Sequence, residues 1–100
     1  MFIYNVTVSI DKTVHDEWLI WMREKHIPDV MNTGCFVESK MVKVLKEEDD
    51  GHTYSFQYTF KEMNDIENYQ KNFAPKLQAD VKQKYDGMFA AFRTLLEIIE

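Results

Sequence analysis

From Phe2 to Ile10 the chain alternates without interruption: Phe2, Tyr4, Val6, Val8 and Ile10 fall on one side, Ile3, Asn5, Thr7 and Ser9 on the other. Side chains two positions apart share a face of a strand, so this stretch predicts a strand buried on at least one side. The period then changes. Val14, Trp18, Trp21, Met22 and Lys25 recur at intervals of three and four, the spacing of one helical face. Asp11 or Thr13 is placed to cap that helix, and Thr13 and Asp16 have capping-box spacing. His26 lies at the edge of the stripe, Pro28 cannot continue the helical ladder, and Gly34 suits a left-handed stop. The pattern predicts a helix that ends at His26, breaks at Pro28, and is followed by a short turn over 28–32.

Residues 36–46 predict a second strand, with neither face cleanly polar and with Lys40, Lys43 and Lys46 marking it as wet or at an edge. Glu47, Glu48, Asp49, Asp50 and Gly51 predict a tight charged hairpin turn. The return strand, 52–60, is well sorted: His52, Tyr54, Phe56, Tyr58 and Phe60 against Thr53, Ser55, Gln57 and Thr59. Asn64 or Asp65 is placed to cap a second helix with the stripe Ile66, Tyr69, Phe73, Leu77 and Val81, kinked at Ala74-Pro75. Beyond Gly87, residues 88–99 read as a last strand, apolar on both faces and interrupted by Arg93 and Glu97.

The order β-α-β-β-α-β predicts an α+β, ferredoxin-like fold in one domain over 1–100: a four-stranded antiparallel sheet with both helices on one face. The aromatic faces of the first and third strands then meet the helices. The other face is semi-polar, yet the last strand leaves apolar surface there that this chain cannot cover. Such a patch points to an interface, and two copies stacked sheet on sheet as a homodimer would bury it.

Composition narrows the partners. The 100 residues are 45% hydrophobic and 29% charged, too apolar for a disordered chain. A net charge of −5 with scattered Lys and Arg speaks against nucleic acid and against an anionic membrane surface. No apolar run approaches the ~20 residues of a membrane span, and the first residues lack a signal peptide's basic flank. Cys35 is the single cysteine, so there is no intrachain disulfide, and a reducing cytoplasm is expected.

Candidate chemistry centres on His26, which would act as acid or base over a pocket or, alternatively, cap a helix C-terminus. Tyr4, Trp18, Trp21, Tyr58 and Phe89 are candidates to line an aromatic cavity for a flat, apolar small ligand, or else to form plain core. Arg93, in an apolar strand, is either aimed at that ligand or held in a structural ion pair, for instance across a dimer interface. No metal is expected, because His15, His26 and His52 lack ligand spacing and Cys35 has no partner. No cofactor is expected either: there is no Gly-rich phosphate loop and no nucleophile elbow.

The motif Trp18-x-x-Trp21-Met22-x-x-x-His26-Ile27-Pro28, the strand around Tyr54 to Phe60, and Ala91-Phe92-Arg93-Thr94-Leu95-Leu96-Glu97 resemble a family of small bacterial proteins, DUF4286, a domain of unknown function. The resemblance covers essentially the whole chain. More distantly, the chain resembles the dimeric α/β-barrel superfamily, with its antibiotic-biosynthesis-type monooxygenases, muconolactone isomerases, EthD-like and NIPSNAP-type proteins. That likeness implies a ligand cavity between sheet and helices in each subunit, but no particular chemistry.

Three functional readings follow: a small-ligand-binding dimer; a cofactor-independent oxygenase or isomerase acting on an aromatic or polyketide-like molecule, with His26 transferring protons; and a structural or regulatory module whose sheet face, around Gln57, binds another protein. A cavity of ~300 Å³ or more would favour the first two; solid packing would remove them.

Overall fold

The structure, a computed structural model, describes residues 1–45 and 52–100. Four strands, β1 (Phe2–Ile10), β2 (Glu38–Lys43), β3 (His52–Phe60) and β4 (Phe89–Glu97), form one sheet in the order β2-β3-β1-β4. Each pairing is antiparallel. The predicted turn at Glu47, Glu48, Asp49, Asp50 and Gly51 lies outside the described residues. The two segments that join β1 to β2 and β3 to β4 are helical, which gives the ferredoxin-like βαββαβ arrangement.

Register sorts the faces. Tyr58, Tyr4 and Leu95 stand level across the three strands, as do Phe56, Val6 and Arg93, then Tyr54, Val8 and Ala91, then His52, Ile10 and Phe89. This is the face under the helices. Tyr4, Val8, Ile10, Tyr54, Phe56, Tyr58 and Phe60 are buried there. Trp18 descends from the first helix onto Phe56 edge-to-face at 5.8 Å, and Tyr69 from the later one meets Tyr4 at 5.7 Å. Large aromatic rings contribute most of this core's apolar area, with ~0.5–1.5 kcal/mol more for each well-oriented pair.

The first helical segment departs from expectation. It does not end at His26. Helix α1 (His15–Trp21) passes into a single π turn (Met22–His26) and on into α2 (Ile27–Met31), with Trp21, Met22, His26 and Ile27 all in right-handed helical conformation. The Ile27 amide donates to the carbonyl of Met22, five residues back. Widening the helix moves carbonyls out of the path of the Pro28 ring, which in a regular helix would clash with the residue four before it. Gly34 does close the segment, at φ +79°.

Caps also differ from the sequence reading. Asp11 accepts hydrogen bonds from the Thr13 amide and hydroxyl at 2.8 and 2.7 Å, forming a turn ahead of α1 whose N-cap, Val14, has no side-chain cap. The second helix begins earlier than Asn64: Glu62 is the N-cap of α3 (Met63–Asn72), and Asp65 completes its capping box. Phe73, at φ −125°, separates α3 from α4 (Ala74–Tyr85), so Pro75 sits harmlessly in a first turn. Strand β2 is shorter than the predicted 36–46; Phe36 turns into the core instead and packs on Tyr69 at 4.9 Å.

Candidate functional site

Between the helices and the sheet lies a cavity of about 60 Å³. That is room for roughly five waters at ~10–15 Å³ each. It falls well short of the ~300 Å³ expected for a drug-sized ligand. Tyr4, Trp18, His26, Tyr58, Phe89 and Arg93 line it, joined by Met22, Val30, Phe56, Tyr69, Gln78 and Val81. Trp21 stands one layer out, stacked on His26 at 5.6 Å and edge-on to Tyr85 at 5.7 Å.

The wall is graded from dry to wet. Trp18, Met22, Val30, Phe56 and Tyr58 are buried, whereas Arg93 and Gln78 are exposed and mark the open end. Arg93 belongs to the helix-side face of β4 because it pairs with Val6. There it lines the cavity together with Tyr4 and Gln78, and its positive charge acts on the Tyr4 phenol.

Electrostatics set the protonation of the wall. Burial raises the Tyr4 phenol, with Arg93 pulling the other way. Burial pushes the Tyr58 phenol far above its ordinary value, and Tyr69 and Tyr4 beside it add to the effect. Tyr69 is raised by burial and then by Tyr4. All three phenols therefore keep their protons at neutral pH and can donate. Burial drives His26 down to about 4, against the pull of Asp29 and Asp80. Its imidazole is neutral at pH 7. Because the helix continues past it, the expected role at a helix C-terminus is not available to it. The indole Nε1 of Trp18 is buried with no hydrogen-bond partner among the described residues.

Sequence reasoning left Tyr69, Gln78, Phe56 and Met22 unassigned. Tyr69 and Phe56 sit on the apolar faces read from the sequence, so their place in the wall was available from period alone. Gln78 had no signal. Among the described residues, no three His, Cys, Asp or Glu side chains converge as metal ligands would, and no helix is long and apolar enough to cross a membrane.

The family model described as "Domain of unknown function (DUF4286)" matches residues 1–99. The chain belongs to the DUF4286 family. No curated protein matches it. Solved structures share the fold of this DUF4286 chain at low identity. An EthD-family protein from Bacillus halodurans is 7% identical with a TM-score of 0.71, covering 99% of this chain and 100% of that one. A dimeric ferredoxin-like protein from an uncultured marine organism is 12% identical with a TM-score of 0.73, covering 100% and 96%. SnoaB from Streptomyces nogalater, described as a cofactor-independent oxygenase, is 10% identical with a TM-score of 0.69, covering 99% and 94%.

Proposed function

We propose that this DUF4286 protein is a homodimeric, cytoplasmic small-ligand-binding domain of the α/β-barrel type. The observation that carries the reading is the cavity itself: an apolar interior with polar groups gathered at its open end, the usual division of labour in a ligand site. Its size restricts the enclosed part of a ligand to a handful of heavy atoms. The test is a titration with 1-butanol followed by two-dimensional amide NMR. Shifts confined to the residues of the cavity wall support the reading; no shifts, or shifts on the opposite sheet face, overturn it.

Dimerisation rests on the outer sheet face. There Phe92 is 62% exposed and Leu96 40%, beside a polar network in which Ser55 donates to Asn5 and Asn5 to Thr7. A monomer gains nothing by showing that apolar edge to water. The marine neighbour described as dimeric supports the same arrangement.

The second reading is a cofactor-independent oxygenase or isomerase. A neutral imidazole beside phenol donors and a guanidinium favours it, since such a set can accept a proton while stabilising negative charge. With a pKa near 4, His26 is a weak base until a bound molecule changes its surroundings.

A further inference from the structure

We propose that the ligand of this cavity is a small aliphatic monocarboxylate, its carboxylate held at the open end by Arg93 and Gln78 and its apolar body enclosed against Val6, Val81 and Phe89. The proposal rests on the ligand-binding reading and adds the chemical class.

Four observations converge on it. First, among the described residues Arg93 is the one arginine or lysine in the cavity wall, and no carboxylate of theirs forms an ion pair with it. The two carboxylates that act on His26 each have a lysine partner: Asp29 with Lys25 at 2.8 Å and Asp80 with Lys76 at 3.2 Å. Second, the groups around the guanidinium can all donate. Gln78 and Tyr4 line the cavity with it, and the Tyr69 ring packs on Tyr4 at 5.7 Å. A cluster of donors is complementary to a ligand end that only accepts, and an arginine fork matches the two oxygens of a carboxylate.

Third, the gradient of the wall fixes the orientation. Arg93 and Gln78 are exposed while Phe56 and Trp18 are buried, so a charged head stays partly hydrated and an apolar body goes inward. The reverse pose would bury a carboxylate among Phe56, Met22 and Val30. Fourth, about 60 Å³ admits roughly five heavy atoms at one water-sized volume each. That matches the enclosed body of a short-chain acid.

The experiment compares sodium butyrate with butyramide, its uncharged isostere, on the full chain. Binding is followed by amide NMR and by the fluorescence of Trp18, which forms part of the wall. We expect butyrate to bind about 10–100-fold tighter, the range of a charge-assisted hydrogen-bonded pair. Arg93→Gln should abolish that preference, so that butyrate binds no tighter than butyramide. Arg93→Lys, which keeps the charge and loses the fork, should retain only part of it. Equal binding of the two probes, or a preference that survives Arg93→Gln with an unchanged melting temperature, overturns the carboxylate assignment and leaves the ligand-binding reading standing. If neither probe perturbs the cavity residues, both fall together.

Discussion

The rings of Trp21 and His26 are stacked, 5.6 Å apart and inclined by 23°, although five positions separate them on one helical segment. In a regular α-helix at 3.6 residues per turn they would point about 140° apart. The π turn between them brings them together, and so sets the imidazole against the cavity with Trp21 as its backing. Pro28 is the local cause. Pro28→Ala should let the Ile27 amide return to an acceptor four residues back and release the stack. The expected result is a His26 titration, read by NMR, that moves up toward the ordinary histidine value. An unchanged titration would mean that the packing of Met22 and Val30 holds the turn open instead.

Burial of neutral His26 makes the fold sensitive to acid. The unfolded chain takes up a proton near the ordinary value of 6.5, whereas the folded chain resists until about 4. The unfolded state thus binds more protons between those limits, and stability must fall as pH drops through them. This contribution is complete above pH 6.5 and its loss reaches on the order of 2–3 kcal/mol near pH 4. Urea denaturation across pH 4–7, compared with His26→Gln, isolates it: the variant's stability should change less over the same range. Parallel pH curves would show that His26 titrates as though exposed.

A second imidazole has a structural task. His15 Nε2 lies 2.7 Å from the hydroxyl of buried Tyr54, and its ring stacks on His52 at 3.8 Å. This contact fastens the start of α1 to β3. His15→Ala leaves a buried hydroxyl without its partner and should cost about 1–3 kcal/mol in chemical denaturation. Because Tyr54→Phe removes the same bond, the double variant should be less destabilised than the sum of the two singles. Strict additivity would deny the bond any net contribution. The exposed Asp16 on the other ring nitrogen, at 2.9 Å, should matter little.

Assembly can be tested at the outer sheet face. Light scattering should return twice the chain mass of 12.0 kDa. Phe92→Glu, which puts a charge where the exposed ring lies, should return the single-chain mass and lower the melting temperature without disturbing the helix-side core. A 12.0 kDa species for the unaltered chain removes the dimer.

Much of the architecture was legible because β1 and β3 alternate so strictly: once Tyr4 and Tyr58 are known to point one way, the helix-bearing face follows. The π turn was not. Pro28 signals a helix end, and nothing in the residues before it shows that five of them will widen to accommodate the ring. The cap of α3 was misplaced for a similar reason, since Asn64 is a better intrinsic cap than Glu62, and only the reciprocal bonds with Asp65 reverse that preference. The His15–His52 contact joins residues far apart in the chain and became visible only when β3 was set beside α1. Cavity size was beyond reach, because it depends on how far the tyrosine rings close over one another.

Strand β4 carries two duties on alternate residues: Phe89, Ala91 and Arg93 toward the cavity, Phe92 and Leu96 away from it. A slip of one position against β1 would exchange the two sets, sending the guanidinium outward and a phenyl ring into the space it served. Any mutation that loosens the β1–β4 seam is therefore expected to weaken the proposed recognition and the proposed self-association in a single stroke.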